Sequence, residues 1–217
     1  MQTLTEQLVA LGLANRVLSD TQLARVVEGT PQRRHNLVSR ALKAGELLRL
    51  RRGSYLLAAS FRDYPPHPFA LAQAYVPGSY VSFETALARH GWIPEAVYTT
   101  ASVTPAKKSG EYTHPVCGTF TFHPLATQVG YFLELVEREQ INQQSMLVAK
   151  PIRALMDLVC LRKIEWQGMR WLVEGIRIDY ENLRNVTSAD IRTLNLVYKQ
   201  QRVKAFLNSL AKELGND

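Results

Sequence analysis

Hydrophobic positions in the first part of the chain follow helical spacing in three successive segments. Leucines recur every three or four positions in residues 4–11, after threonines that suit a helix cap, and the same spacing returns in residues 20–27. The third segment is the best bounded, because Thr30-Pro31 supplies an N-cap followed by proline at the first helical position and Gly45 marks its end. The pattern therefore predicts three helices in this region.

Residues 47–57 change to the pattern of short strands. Leucines, arginines and a tyrosine there flank a tight turn at Arg52-Gly53 or Gly53-Ser54, which is typical of a β-hairpin. Three helices followed by a hairpin are the elements of a winged helix-turn-helix. We predict this fold for residues 1–60.

Residues 61–78 interrupt this pattern. Three prolines fall within residues 62–68 and disfavour regular structure, although residues 68–75 have helical spacing. We predict that residues 61–78 are a linker and that a second domain covers residues 79–217.

The second domain mixes helical and strand patterns. Residues 82–90 predict a helix that Ser82 caps and Gly91 stops. Strand patterns at 97–103 and 116–122 are separated by a polar turn at 107–110, and helical patterns follow from residue 151, around 166–176 and over 188–214. The predicted fold class is α+β, with an N-terminal winged helix-turn-helix followed by a mixed α/β C-terminal domain that ends in helices.

Basic residues concentrate in the predicted winged helix. The chain has a formal net charge of +7, and residues 1–60 hold nine Lys or Arg but only four Asp or Glu. The third helix has a basic face opposite an apolar one, so its arginines and asparagine suit guanine and adenine edges in the major groove of DNA. Arginines on the hairpin suit the sugar-phosphate backbone or the minor groove. The predicted DNA-binding residues are Arg33, Arg34, Asn36, Arg40, Lys43, Arg49, Arg51 and Arg52.

A solvated helix face is the simpler interpretation of any single basic helix, because exposed helices commonly carry charge. The consecutive order of basic helix, glycine stop, basic strand and Arg-Arg-Gly turn favours nucleic-acid binding instead. A winged helix that binds RNA or another protein stays open as an alternative.

The sequence shows no catalytic or metal-binding pattern. The five histidines have no metal-ligand spacing, and neither a phosphate-binding loop nor a serine-nucleophile motif occurs. Cys117 and Cys160 are predicted to be packed thiols. We therefore predict that the protein is not an enzyme and needs no metal or cofactor. The sparse cysteines, the absence of a leader pattern and the absence of a long apolar run predict a cytoplasmic protein without a membrane partner.

Three segments resemble the AbiEi-like antitoxins, the regulatory half of abortive-infection (type IV) toxin–antitoxin systems. LVSRALKAGELLRLRRGSYLL at 37–57 is similar to the family's helix-then-wing signature. YVSFETALARHGWIPEAVYTTASVTPAKK at 80–108 resembles the opening of the family's C-terminal domain, and AKPIRALMDLVCLRK at 149–163 is similar to its A-x-P-E-K-A-L-L-D helix start. The chain departs from that last pattern, because Ile152-Arg153 stand where the family commonly has Glu-Lys.

The resemblance implies a DNA-binding autorepressor that recognises repeat operators in its own promoter. It also implies an antitoxin of a phage-defence system, paired with a nucleotidyltransferase toxin that it need not contact directly. The alternative, from a different class, is an adaptor whose winged helix binds a partner protein.

Overall fold

The computed structural model describes residues 2–142 and 144–215. It is a mixed α/β protein whose contacts divide into two compact units. We call Met1–Pro77 with Gln140–Ser145 the N-terminal unit, and Gly78–Glu139 with Met146–Asp217 the C-terminal unit.

Three helices and a small antiparallel sheet form the first part of the N-terminal unit. The helices are α1 (Leu4–Ala10), α2 (Asp20–Val26) and α3 (Pro31–Lys43), and the strands are β1 (Leu18–Ser19), β2 (Leu47–Arg51) and β3 (Ser54–Leu57). The strand order is β1-β3-β2, and Arg52 and Gly53 form the turn between β2 and β3. The three helices and the hairpin thus lie where the sequence predicted them, whereas the pairing of β1 with β3 was not predicted.

Side-chain caps begin all three helices. Thr3, Ser19 and Thr30 each accept a hydrogen bond from the backbone amide three residues later, and Thr3 and Ser19 complete reciprocal capping boxes. The apolar faces of the helices then meet in one buried cluster that includes Leu8 and Leu23. This core fixes α3 against the other helices and the hairpin.

The segment predicted as a linker is more ordered than its prolines indicated. Residues 59–61 form a short 3-10 turn, and α4 spans Pro68–Tyr75. The amide of His67 donates to the side chain of Gln144 at 2.8 Å. Residues 61–77 are assigned to the N-terminal unit by their contacts.

A six-stranded mixed sheet forms the C-terminal unit. Its strands are β4 (Tyr80–Val81), β5 (Thr99–Val103), β6 (Gly110–His114), β7 (Gly118–His123), β8 (Val136–Ile141) and β9 (Gln144–Ala149), in the order β6-β7-β5-β4-β9-β8. The sequence predicted β5 and β7 but not β6, β8 or β9. The turn at 107–110 does not join β5 to β7 as a hairpin: it leads into β6, which pairs antiparallel with β7, and β5 pairs parallel with β7.

Helices follow and interleave with this sheet. They are α5 (Phe83–Arg89), α6 (Pro151–Arg162), a π-helical turn (Trp171–Gly175), α7 (Tyr180–Arg184), α8 (Ser188–Val197) and α9 (Gln201–Leu214). The single helix predicted over 188–214 is wrong, because Tyr198 is extended at φ −93° and ψ 141° and its backbone forms a β-bridge with Thr127. That interruption separates α8 from α9.

A fully buried ionic cluster lies at the centre of the C-terminal unit. Arg153 and Asp157, one turn apart on α6, both have no exposed side-chain surface. Asp157 Oδ1 accepts from Arg153 Nε at 2.9 Å and from the Tyr198 hydroxyl at 2.7 Å. Its Oδ2 accepts from the hydroxyls of Tyr80 at 3.0 Å and Ser82 at 2.7 Å. We call these five residues the Asp157 cluster.

Ser82 therefore has a different role from the predicted helix cap. It occupies the N-cap position of α5, but its side chain makes no capping hydrogen bond and its hydroxyl donates to Asp157. Phe83, directly after it, adopts a left-handed backbone with φ +56°. That conformation costs about 1–2 kcal/mol in a residue with a side chain.

Neutralising Asp157 tests how much the cluster stabilises the fold. We expect Asp157→Asn to lower the free energy of unfolding by about 3–5 kcal/mol, because it leaves the buried Arg153 without its charge partner. Urea denaturation followed by circular dichroism measures the change. The matched control is Glu174→Gln in the Arg170–Glu174 pair, which has the same spacing but side chains that are 84% and 62% exposed. Similar unfolding midpoints for the two variants would contradict the expectation.

Candidate nucleic-acid interface

Helix α3 separates its side chains into a buried and an exposed side. Leu37, Val38 and Ala41 are buried in the core of the N-terminal unit. At 100° per residue, Gln32, Asn36 and Lys43 share the side turned away from that core, and all are exposed. The Gln32 side chain donates to Asn36 Oδ1 at 3.1 Å, so these two amides form a polar pair on the exposed side.

Arg33 and Arg40 lie on one flank of this exposed side. The Arg33 side chain lies against Gly29 and lines a shallow depression that also involves Glu28. Arg40 lines a second depression beside Glu46. The structure therefore places these two predicted residues on the edge of α3 nearest α1 and the end of α2, flanking the exposed stripe.

Other predicted residues line a groove between α3 and the β2–β3 hairpin. Arg34 borders it from the first turn of α3, and Arg49 and Arg52 border it from the hairpin. The groove has a volume of about 630 Å³. We call it the arginine groove. His35 lines it as well, although the sequence analysis did not select this residue.

Arg51 is separated from these residues by an irregularity in the strand. The pairing register between β2 and β3 shifts between Arg49 and Arg51, which leaves Leu50 as an extra residue. Arg51 then lies opposite Ser54, half-buried, and its Nε has no hydrogen-bond partner among the described residues. Arg51 does not border the arginine groove.

The predicted basic residues make no ion pairs in the described part of the chain. The ion pairs of Arg89, Lys150, Arg153, Arg162, Arg170, Arg177 and Arg184 all lie in the C-terminal unit. The arginines of α3 and the hairpin thus keep their donors available to an external anion. Arginine suits this role, because its planar fork binds phosphate with two hydrogen bonds.

Asp20 is an acidic residue in these basic surroundings. It begins α2, lines the arginine groove and lies beside the hairpin turn, where its backbone amide donates to the carbonyl of Gly53 at 3.0 Å. Tyr55 lines the same groove. Burial raises the pKa of Tyr55, and the charge of Asp20 raises it further while Arg49 opposes the shift.

Sequence reasoning missed Asp20 and His35 for different reasons. His35 follows Arg34 directly, and the spacing on α3 was sufficient to place it beside the predicted residues. Asp20 is 14 positions before Arg34, and only the pairing of β1 with β3 brings it to the groove. No local pattern identifies such a neighbour.

Two reactive side chains outside the predicted interface, Cys160 and His90, have surroundings typical of packed residues. Burial raises the pKa of the Cys160 thiol to about 11, with the Asp157 charge contributing next. His90 Nε2 lies 3.0 Å from the carbonyl oxygen of Ala149, so this histidine joins the end of β9 to the end of α5. Within residues 2–142 and 144–215, no three His, Cys, Asp or Glu side chains are placed to share a metal ion. No helix in the same residues has the length and apolar character needed to span a membrane.

Replacing Gly53 tests the contact between the hairpin turn and Asp20. In Gly53→Ala the new Cβ would lie 2.8 Å from Asp20 Oδ2, so Asp20 must leave its place beside Tyr55. Gly45→Ala is the control, since its φ of +72° nearly equals the +75° of Gly53 but nothing lies within 4 Å of its Cβ. We expect Gly53→Ala to cost about 0.5 kcal/mol more than the control in urea denaturation, because the atom that must shift is the end of an exposed side chain. Equal losses of stability in the two variants would show that the contact between Asp20 and the hairpin turn does not contribute to stability.

No protein-family model matches this chain, and no curated protein shows significant sequence similarity to it.

Proposed function

We propose that the N-terminal unit is a winged helix-turn-helix that binds double-stranded DNA through α3 and the β2–β3 hairpin. The main support for this proposal is that arginines without ion pairs lie on both flanks of the exposed side of α3. Arg33 and Arg40 lie on one flank, and Arg34 lies with the hairpin arginines on the other. A helix lying in a DNA groove needs this arrangement, because phosphates line both edges of the groove.

The exposed side of α3 would then read bases. The major groove of B-DNA is about 12 Å wide and admits one α-helix. Asn36 has the amide needed to pair with adenine N6 and N7, and Gln32 is of the same chemical type. Lys43, at the other end of the helix, suits a phosphate. The arginine groove would hold the sugar-phosphate backbone between α3 and the hairpin.

We further propose that the protein is an autorepressor and antitoxin paired with a nucleotidyltransferase toxin. The support is the resemblance of the three segments to AbiEi-like antitoxins, together with where those segments lie. Tyr80 and Ser82 come from the second segment, Arg153 and Asp157 come from the third, and these four side chains meet in the Asp157 cluster. The residues that these two segments contribute to the cluster would then have a structural role. A structural role agrees with an antitoxin that acts by binding and has no catalytic site.

A protein-binding adaptor is the second candidate. Val9 and Leu11, at the end of α1, are 45% and 55% exposed and give the N-terminal unit an apolar surface that suits a protein partner. A stable complex with the toxin in size-exclusion chromatography, together with no binding to promoter DNA at physiological salt, would favour this candidate.

Asn36 tests base reading. We expect Asn36→Ala to weaken binding to the cognate promoter by about 1–3 kcal/mol and to leave binding to random-sequence DNA unchanged, because the amide contacts a base edge. Fluorescence anisotropy with both duplexes measures the two affinities. An equal loss on both duplexes would show that Asn36 does not read sequence.

The arginine groove is tested by removing two of its charges. We expect Arg34→Ala with Arg52→Ala to weaken binding to every duplex and to reduce the slope of log K against log salt by about two, one for each lost phosphate contact. Lys107→Ala with Lys108→Ala is the matched control, since it removes the same charge from an exposed loop of the C-terminal unit. If both double variants changed the slope equally, net charge alone would explain the binding.

A further inference from the structure

The carboxylate of Asp20 lies among cationic side chains that it does not neutralise. It borders the arginine groove with Arg34, Arg49 and Arg52. None of these arginines forms an ion pair in the described residues. The carboxylate of Asp20 therefore lies more than 4.0 Å from the guanidinium nitrogens of each of them. The groove therefore contains three positive charges and one separate negative charge.

The backbone of Asp20 holds its side chain beside the hairpin turn. The amide of Asp20 donates to the carbonyl of Gly53 at 3.0 Å, which ties the start of α2 to the turn. The absence of a side chain at Gly53 leaves the space that Asp20 Oδ2 occupies, since a Cβ there would come within 2.8 Å of this oxygen. The carboxylate therefore lies at the turn, at the border of the arginine groove.

We propose that Asp20 limits the affinity of the arginine groove for the phosphate backbone of DNA. This inference rests on the proposed DNA-binding function. A phosphate that enters the groove is attracted by the arginines and repelled by the carboxylate of Asp20 at the same time. Asp20 thereby lowers binding to all DNA sequences, because the repulsion acts on phosphate and not on bases.

Asp20→Asn isolates the charge, because it keeps the size of the side chain and a residue type that suits the start of a helix. We expect this variant to bind random-sequence duplex about fivefold more tightly than the unmodified protein at low salt, the effect of one like charge at a solvated surface. The gain should shrink at physiological salt as screening increases. Binding to the promoter duplex should strengthen by a similar factor.

Two control variants separate this effect from other causes. Tyr55→Phe removes a hydroxyl from the lining of the groove and keeps the charge of Asp20, so it should not tighten binding. Glu165→Gln changes the net charge by the same amount at an exposed residue of the C-terminal unit, and it should change affinity less than Asp20→Asn. Asp20→Ser is a second neutral variant in case Asp20→Asn does not fold, and it should reproduce the gain.

The outcomes distinguish this inference from the proposed function. If the unmodified protein binds no duplex at any salt concentration, the DNA-binding function is wrong and the role of Asp20 is wrong with it. If the unmodified protein binds DNA but the neutral Asp20 variants bind no more tightly, the inference alone is wrong. A gain of equal size in Tyr55→Phe or in Glu165→Gln would also overturn it.

Discussion

A buried carboxylate that accepts four hydrogen bonds constrains every element that donates to it. Asp157 and Arg153 come from α6, Tyr80 and Ser82 from β4 and the residue after it, and Tyr198 from the break between α8 and α9. Burial and the neighbouring Asp157 charge raise the pKa of Tyr80, so its hydroxyl stays protonated and available as a donor. Removing two charges from water costs several kcal/mol for each ion, which good geometry must offset. The cluster therefore fixes how sheet and helices meet in the C-terminal unit.

The same constraint explains two irregular features of that unit. Tyr198 interrupts what would otherwise be one long helix, since its hydroxyl must reach Asp157 while its backbone pairs with Thr127. Ser82 gives its hydroxyl to Asp157 and leaves α5 without a side-chain cap, and the left-handed Phe83 follows it. Backbone strain of this kind persists where the surrounding contacts fully determine the position of a residue. Phe83 meets this condition, because it is buried and only 1% exposed.

The two units differ in the ion pairs that they contain. The C-terminal unit has ion pairs inside the Asp157 cluster and on its surface. The basic side chains of α3 and the hairpin have no such partners in the described residues, and the arginine groove is open to solvent. Unpaired cations near one another destabilise a protein by repulsion, and that repulsion disappears when a polyanion binds. The proposed binding of DNA would explain why these arginines are unpaired, because DNA is such a polyanion.

Local signals determined much of this protein. Caps, glycine stops and apolar spacing placed α1, α2, α3 and the hairpin, because each depends on residues within one or two turns of the chain. The basic side of α3 followed from the same periodicity. Strands β6 and β8 escaped prediction, since their polar residues suit a sheet only beside their neighbours. Strand β9 is mainly apolar and was missed all the same. Only the tertiary structure brought Asp20 to the arginine groove. It alone also brought Tyr80, Ser82 and Tyr198, which are 41 to 77 positions away in the chain, to Asp157. Such contacts depend on strand pairing and burial that no local pattern records.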